Sequence, residues 1–190
     1  GGLSGGAENG IKGYQLTYMI AYIRDFCLQY NVVAESFETS CPWSQVSSLC
    51  KNVRESIFVA AEGHGYARKD VFVSFRVTQL YETGAAVYVY FALPYGHMQD
   101  KSKVVDVYED VENKSREATF KYGGCISHHH GVGKLRKRFM PKTATELNFG
   151  LMAGVKAAVD PNNIFAINNT IYRSEAEEKK DHELDEMFKK

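Results

Sequence analysis

The sequence predicts an α+β fold: an antiparallel sheet with helices packed on one face, followed by a C-terminal helical return segment. Three observations predict it. Apolar residues change spacing along the chain, from a helical period to a strand period and back. Two strand-period runs are separated by a turn signal, the mark of a hairpin. The order helix, strand, helix, strand, strand, helix belongs to a layered α+β domain.

Each element has its own justification. From Tyr14 to Tyr30, Leu16, Met19, Ile20, Ile23, Cys27 and Leu28 recur at helical spacing. Val32 to Thr39 is a short extended run. Ser40 and Cys41 before Pro42 mark a helix start, which Val46, Leu49, Cys50, Val53 and Ile57 continue until Gly63 and Gly65 end it. Val71, Val73, Phe75 and Val77 form the apolar face of a strand, with Ser74, Arg76 and Thr78 between them and only Phe72 breaking the alternation. Thr83-Gly84 turns the chain into a second, more apolar strand from Ala86 to Leu93. A charged helix follows from about Lys103 to Lys121, closed by Gly123-Gly124. The last helix, Thr143 to Val159, stops at Asp160-Pro161-Asn162-Asn163. The charged end from Arg173 to Lys190 reads as a surface helix or frayed tail. With helices on one face, the second face of the sheet is available to cover a ligand.

Composition narrows the class. An apolar fraction of 44% in 190 residues supports a real core. A formal net charge of zero excludes a polycation that seeks nucleic acid. Cys27, Cys41, Cys50 and Cys125 are irregularly spaced and read as free thiols rather than a disulfide framework. No apolar run approaches the ~20 residues that span a bilayer. The opening Gly1-Gly2-Leu3-Ser4-Gly5-Gly6 reads as an interior linker, so the natural reading frame is expected to begin upstream.

The densest chemistry lies in His128-His129-His130-Gly131-Val132-Gly133-Lys134-Leu135-Arg136-Lys137-Arg138. Imidazoles with pKa values near ~6.5 carry protons at neutral pH. Glycines allow sharp turns and close approach to a ligand. Lys134, Arg136, Lys137 and Arg138 are candidates to hold a phosphate. The competing reading is a structural loop followed by the solvated face of a helix. Zinc is poorly supported, because adjacent side chains of an extended segment diverge and no Cys-x-x-Cys or His-Glu-x-x-His adds ligands. No metal is therefore assigned. Gly131 and Gly133 do not form a P-loop, which needs four residues between its glycines.

The histidine segment with its preceding Ser127 resembles the signature of the alkyldihydroxyacetonephosphate synthase family, flavoproteins of the vanillyl-alcohol-oxidase type. The likeness extends to Tyr18-Met19-Ile20-Ala21-Tyr22-Ile23-Arg24-Asp25, Ala34-Glu35-Ser36-Phe37-Glu38-Thr39-Ser40, Phe75-Arg76-Val77-Thr78-Gln79, Gly84 to Phe91 and Asp160-Pro161-Asn162-Asn163-Ile164-Phe165. It covers most of residues 1–172 in order. The family's N-terminal FAD-binding half has no counterpart here. The resemblance implies a cap domain over 1–122 that roofs the substrate, a histidine loop and flavin-contacting segment over 123–172, and a charged tail over 173–190.

The resemblance implies an activity and roles as well. The family makes ether lipids: the fatty acid of acyl-dihydroxyacetonephosphate is exchanged for a long-chain fatty alcohol through a flavin N5 adduct, without net redox change. FAD is the implied cofactor. Tyr88, His128, His129 and His130 match catalytic positions, with one or two of the histidines expected at the reaction centre. Arg24 matches the arginine that meets the acyl carboxylate, and Ser36 an active-site serine. Lys134 and Arg136 are the substrate-phosphate candidates; Arg76, Gly131, Gly133 and Asn163 are the cofactor-side candidates. For Tyr88, Arg24 and Ser36 the bland alternatives are a core aromatic, a helix-surface arginine and a solvent-facing serine. Family membership further implies a homodimer, peripheral membrane contact and a peroxisomal location. Two other readings stand beside this one: a non-catalytic cap fragment that holds no flavin, and a related FAD-linked oxidoreductase. The histidine triplet argues against the latter, whose relatives resemble Gly-Glu-His-Gly at that place.

Overall fold

A computed structural model of the chain describes residues 5–167 and 169. Its elements are α1 (Gly6–Gln29), β1 (Val32–Pro42), α2 (Trp43–Gly63), β2 (Phe72–Leu80), β3 (Gly84–Pro94), α3 (Val104–Lys121) and α4 (Glu146–Val159). Short 3-10 turns occupy Arg68–Asp70, Lys101–Lys103 and Lys137–Lys142. The expected α+β architecture is present. The tail from Arg173 to Lys190 lies outside the described residues.

The sheet has the order β1-β3-β2 and is antiparallel throughout. Strand alternation sorts its side chains onto two faces. One face offers Phe37, Val89, Phe91 and Leu93 to Leu49, Val53 and Ile57 of α2 and to Val107 and Val111 of α3. Helices α2 and α3 pack together against this face, with Ser56 Oγ donating to the Lys114 carbonyl between them at 3.0 Å. A buried ion pair, Glu112 with Arg116, sits in the same layer; the Arg116 guanidinium lies 4.5 Å above the Phe37 ring. The other face carries Ser36, Glu38, Tyr88, Tyr90, Ser74 and Arg76, by alternation from the core positions.

Several boundaries differ from the sequence expectation: α4 starts at Glu146 rather than Thr143, β3 at Gly84 rather than Ala86, and two further differences have a clear cause. β1 continues through Ser40 and Cys41 to Pro42 instead of yielding to a helix there, because those residues pair with Ala86, Ala85 and Gly84. Ladder pairing outweighs the local start signal, and Pro42, extended at ψ 149°, ends the strand and caps α2. At the other end, the glycine-rich opening is not all linker: α1 begins at Gly6 and includes Gly10 and Gly13. Each glycine weakens a helix by about 1 kcal/mol relative to alanine but does not break it.

The segment after α3 crosses the edge of the sheet. The Gly124 amide donates to the Thr119 carbonyl at 2.8 Å, and the Cys125 amide donates to the Ser40 carbonyl at 3.1 Å, alongside the free edge of β1. A Cβ on Gly124 would stand 2.5 Å from Thr119 Cγ2, 2.7 Å from Thr39 Oγ1 and 2.9 Å from Leu49 Cδ1, so only glycine fits this passage. Thr39 Oγ1 donates to the Cys125 carbonyl at 2.9 Å and completes the crossing. From there the chain reaches the face opposite the helices. All four cysteines are free.

Candidate active site

Glu38 organises the site. Its side chain is fully buried, on the sheet face opposite the helices. Ser127 Oγ donates to Oε1 at 2.5 Å, the His128 amide donates to Oε2 at 2.5 Å, and the His129 and His130 amides donate to Oε1 at 3.3 and 2.9 Å. Ser127 Oγ also accepts from the Gly131 amide at 2.9 Å, closing the turn. Burial alone would raise the Glu38 pKa. The four hydrogen bonds overcome this and hold it at about 2, so the carboxylate is ionised at neutral pH.

This geometry corrects an expectation. An extended triplet would throw its side chains to alternate faces. Here the three amides curl around one carboxylate, so the three rings gather on one side. Ring centroids are 5.2 Å apart for His128 and His129 and 4.5 Å apart for His129 and His130. Gly131, at φ +80°, and Gly133, at φ +57°, then turn the chain away in the left-handed region open to glycine.

Tyr88 is the meeting point of the rings. It stands in β3 directly between Glu38 of β1 and Arg76 of β2. His129 Nε2 and His130 Nε2 each lie 2.7 Å from its hydroxyl. One phenol can donate to one imidazole while accepting from the other. His128 does not reach Tyr88; its Nε2 lies 2.9 Å from the Tyr81 hydroxyl, and its Nδ1 lies 2.9 Å from His129 Nδ1. Burial raises the Tyr88 pKa, Glu38 and Tyr90 add to this, and Arg76 opposes it, so the phenol keeps its proton at neutral pH. Burial lowers the His130 pKa despite the nearby Glu38, which leaves that imidazole neutral and able to accept a proton. The pair therefore sets a protonated phenol against a neutral imidazole, within hydrogen-bond reach for a proton to pass between them.

The remaining candidates are placed unevenly. Ser36 shares the Tyr88 face of the sheet, two residues before Glu38 and opposite Tyr90. Arg24, on α1, pairs with Glu35 at 3.1 Å and is half exposed. Lys134 projects into solvent. Arg136 does not: it is buried, and its Nη1 donates to the Gly131 carbonyl, bracing the histidine loop from beneath. Its Nε has no hydrogen-bond partner among the described residues. Arg138 pairs with Glu117 at 3.2 Å, so the basic run is largely turned inward rather than forming a solvated helix face. Asn163 has φ +49° in the turn after α4, its amide donating to the Asp160 carbonyl at 3.0 Å. It is Asn169 that returns to the loop, its Oδ1 3.9 Å from where a Gly133 Cβ would stand.

Glu38, His128 and His129 place potential metal-ligand atoms within 4.8 Å of one another. The carboxylate accepts three hydrogen bonds on Oε1 and one on Oε2, so only Oε2 keeps capacity for a further ligand.

Sequence reasoning missed Glu38 and Tyr81. An acid flanked by Phe37 and Thr39 in a half-buried strand was the available signal for Glu38, since a buried carboxylate requires donors. For Tyr81, beside the Thr83-Gly84 turn, nothing in the local pattern marked it.

Residues 12–168 match the family described as FAD linked oxidases, C-terminal domain. The chain belongs to this family. It is 44% identical over 170 residues to alkyldihydroxyacetonephosphate synthase of Caenorhabditis elegans, an alignment covering 90% of this chain and 28% of that protein. The synthase of Dictyostelium discoideum is 26% identical over 159 residues, covering 84% of this chain and 25% of that protein. A solved structure of alkyldihydroxyacetonephosphate synthase superposes with a TM-score of 0.54 at 21% identity, covering 78% of this chain and 22% of the other. This FAD-linked oxidase C-terminal chain thus spans about a quarter of the length of the curated relatives it matches. The superposition shows a shared fold: helices against a small antiparallel sheet.

Proposed function

We propose that this chain is the substrate-roofing C-terminal part of an alkyldihydroxyacetonephosphate synthase, which exchanges the fatty acid of acyl-dihydroxyacetonephosphate for a fatty alcohol. The observation that carries the reading is the Tyr88 hydroxyl held at 2.7 Å by two imidazoles on the sheet face opposite α2 and α3. The 44% identity to a relative of that name gives the substrate class.

FAD suits this face. The Tyr88 and Tyr90 rings stack at 5.8 Å with Arg76 across from Tyr88, and His129 and His130 are exposed beside them, a flat aromatic floor with proton carriers at its rim. When bound, the flavin would supply an electrophilic nitrogen, N5, to take the substrate carbon between departure of the acid and arrival of the alcohol. The rest falls to this chain's side chains. Tyr88 takes the proton from the substrate carbon as its own proton passes to a neighbouring imidazole. Arg24, released from the half-buried Glu35, meets the departing carboxylate, and Ser36 donates a hydrogen bond to the same group. Lys134 meets the phosphate, while Arg136 holds the loop from which Lys134 extends. Gly131, Gly133 and Asn163 bring backbone close to the cofactor side. In this reading residues 1–122 roof the substrate, 123–172 contact the flavin, and a separate half holds most of FAD. A homodimer, peripheral membrane contact and a peroxisomal location belong to the same proposal.

The test is an exchange assay on the protein complete with its FAD-binding half. Labelled fatty alcohol should enter the ether product as fatty acid is released in equal amount. Oxidation of a hydroxy acid or phenol with peroxide formation, and no exchange, would replace this reading with an oxidoreductase.

A further inference from the structure

We infer that Tyr81 is the outer end of a proton relay that joins Tyr88 to solvent through His129 and His128. The inference rests on the proposed role of Tyr88. Its observation is a continuous chain of contacts: Tyr88 hydroxyl to His129 Nε2 at 2.7 Å, His129 Nδ1 to His128 Nδ1 at 2.9 Å, and His128 Nε2 to the Tyr81 hydroxyl at 2.9 Å. Both ring nitrogens of both imidazoles are engaged. A neutral imidazole holds one proton and one free lone pair, so it can take a proton on one nitrogen as it releases one from the other. The contact between two Nδ1 atoms requires a single proton between them, which fixes the tautomer of one ring by that of the other.

The transfer balances. At the start Tyr88 donates to His129 Nε2, His129 Nδ1–H donates to His128 Nδ1, His128 Nε2–H donates to the Tyr81 oxygen, and Tyr81 donates to water. When Tyr88 accepts a proton from the substrate carbon, each hydrogen moves one place outward. One proton leaves the C–H bond, one reaches water, and the electron pair stays on carbon. The four side chains stay neutral and change only tautomer; the negative charge stays with the substrate carbon, the positive charge leaves with water, and no group changes redox state. His130, the second partner of Tyr88, lies off this line against Glu38, 3.8 Å from its carboxylate; with Tyr88 donating to His129, its Nε2–H donates to the Tyr88 oxygen.

Tyr81 is built to hold its place. Its amide donates to the Gly84 carbonyl at 2.9 Å, and its carbonyl accepts from Trp43 Nε1 at 2.8 Å. Its side chain is about half exposed, and with His128 it lines an open cavity of about 540 Å³ at the hairpin turn, where water can receive the proton. A tyrosine with no role beyond packing does not need its hydroxyl aimed at an imidazole that is itself aimed at a second one.

The experiment uses the complete flavin-loaded protein. Tyr81→Phe keeps the ring and both backbone bonds and removes only the terminal hydroxyl. Turnover should fall, by up to ~10²-fold, the low end of general acid–base effects. Added imidazole should restore it in proportion to concentration, while the wild type ignores imidazole. Tyr81→Phe combined with His128→Ala should be no worse than His128→Ala alone, since both cut one line. Unchanged turnover in Tyr81→Phe, or a loss that imidazole does not restore, overturns the relay. Ring-nitrogen NMR separates this from the parent reading. Tyr81→Phe must shift His128 Nε2 and, through the shared proton, His129 Nδ1; unchanged shifts overturn the relay whatever Tyr88 does. Normal turnover in Tyr88→Phe would instead defeat the parent reading, even with those shifts present.

Discussion

Removing Glu38 tests the residue scale most sharply. The carboxylate accepts from three consecutive amides, and glutamine can satisfy only part of that set, because its NH2 group faces an N–H donor. Glu38→Gln in the complete protein should retain flavin yet lose activity, and amide hydrogen exchange at residues 127–130 should quicken. Unchanged exchange would show that the loop holds itself. Glu38 also predicts a pH dependence. Its folded pKa of about 2 lies below its ordinary value of 4.5, so its contribution to stability is complete above about pH 4.5 and disappears as pH falls towards 2. A shift of this size corresponds to about 3 kcal/mol. Denaturant unfolding across that window should show acid destabilisation that Glu38→Gln lacks. Among the histidines, the contacts rank the outcome. Ala at 129 or 130 removes a partner of Tyr88 and should cost ~10²–10⁴-fold in turnover, whereas Ala at 128 should cost less. Equal losses at all three positions would contradict this geometry.

At the scale of elements, the passage of the chain around the edge of β1 decides where the loop lands. Gly124→Ala forces a methyl against Thr119, Thr39 and Leu49, and overpacking of this kind costs ~1–3 kcal/mol. A fall in melting temperature accompanied by weaker turnover is expected, and a variant as stable as the wild type would mean that the crossing is slack. These elements also show what the sequence disclosed. The period of Val71, Val73, Phe75 and Val77 and the turn at Thr83-Gly84 revealed the hairpin, because both signals are local. The end of β1 was hidden, since Ser40 and Cys41 look like a helix start until β3 supplies partners. Tyr88 and the histidines were legible through resemblance, but the pairing of Glu38 with amides some 90 residues later was not. Nor was the inward turn of Arg136, because a basic run looks the same whether it faces water or braces a loop.

At the scale of the whole molecule, α1 and α4 present Tyr14, Tyr18, Ile20, Phe26, Leu147 and Leu151 to solvent in this chain. Helices apolar on several sides are normally covered by further protein. Together with a span of about a quarter of its curated relatives, this predicts that the chain by itself does not retain FAD. The visible spectrum of the purified chain checks it: no flavin band is expected, and a stoichiometric one would show that this part carries the cofactor site alone. The central claim is that Tyr88, gripped by His129 and His130, moves the substrate proton. Its most direct test is the exchange rate of the complete protein carrying Tyr88→Phe, measured with flavin content and melting temperature. The account predicts a loss of ~10²–10⁴-fold with both of the latter unchanged; exchange at near the wild-type rate would contradict it.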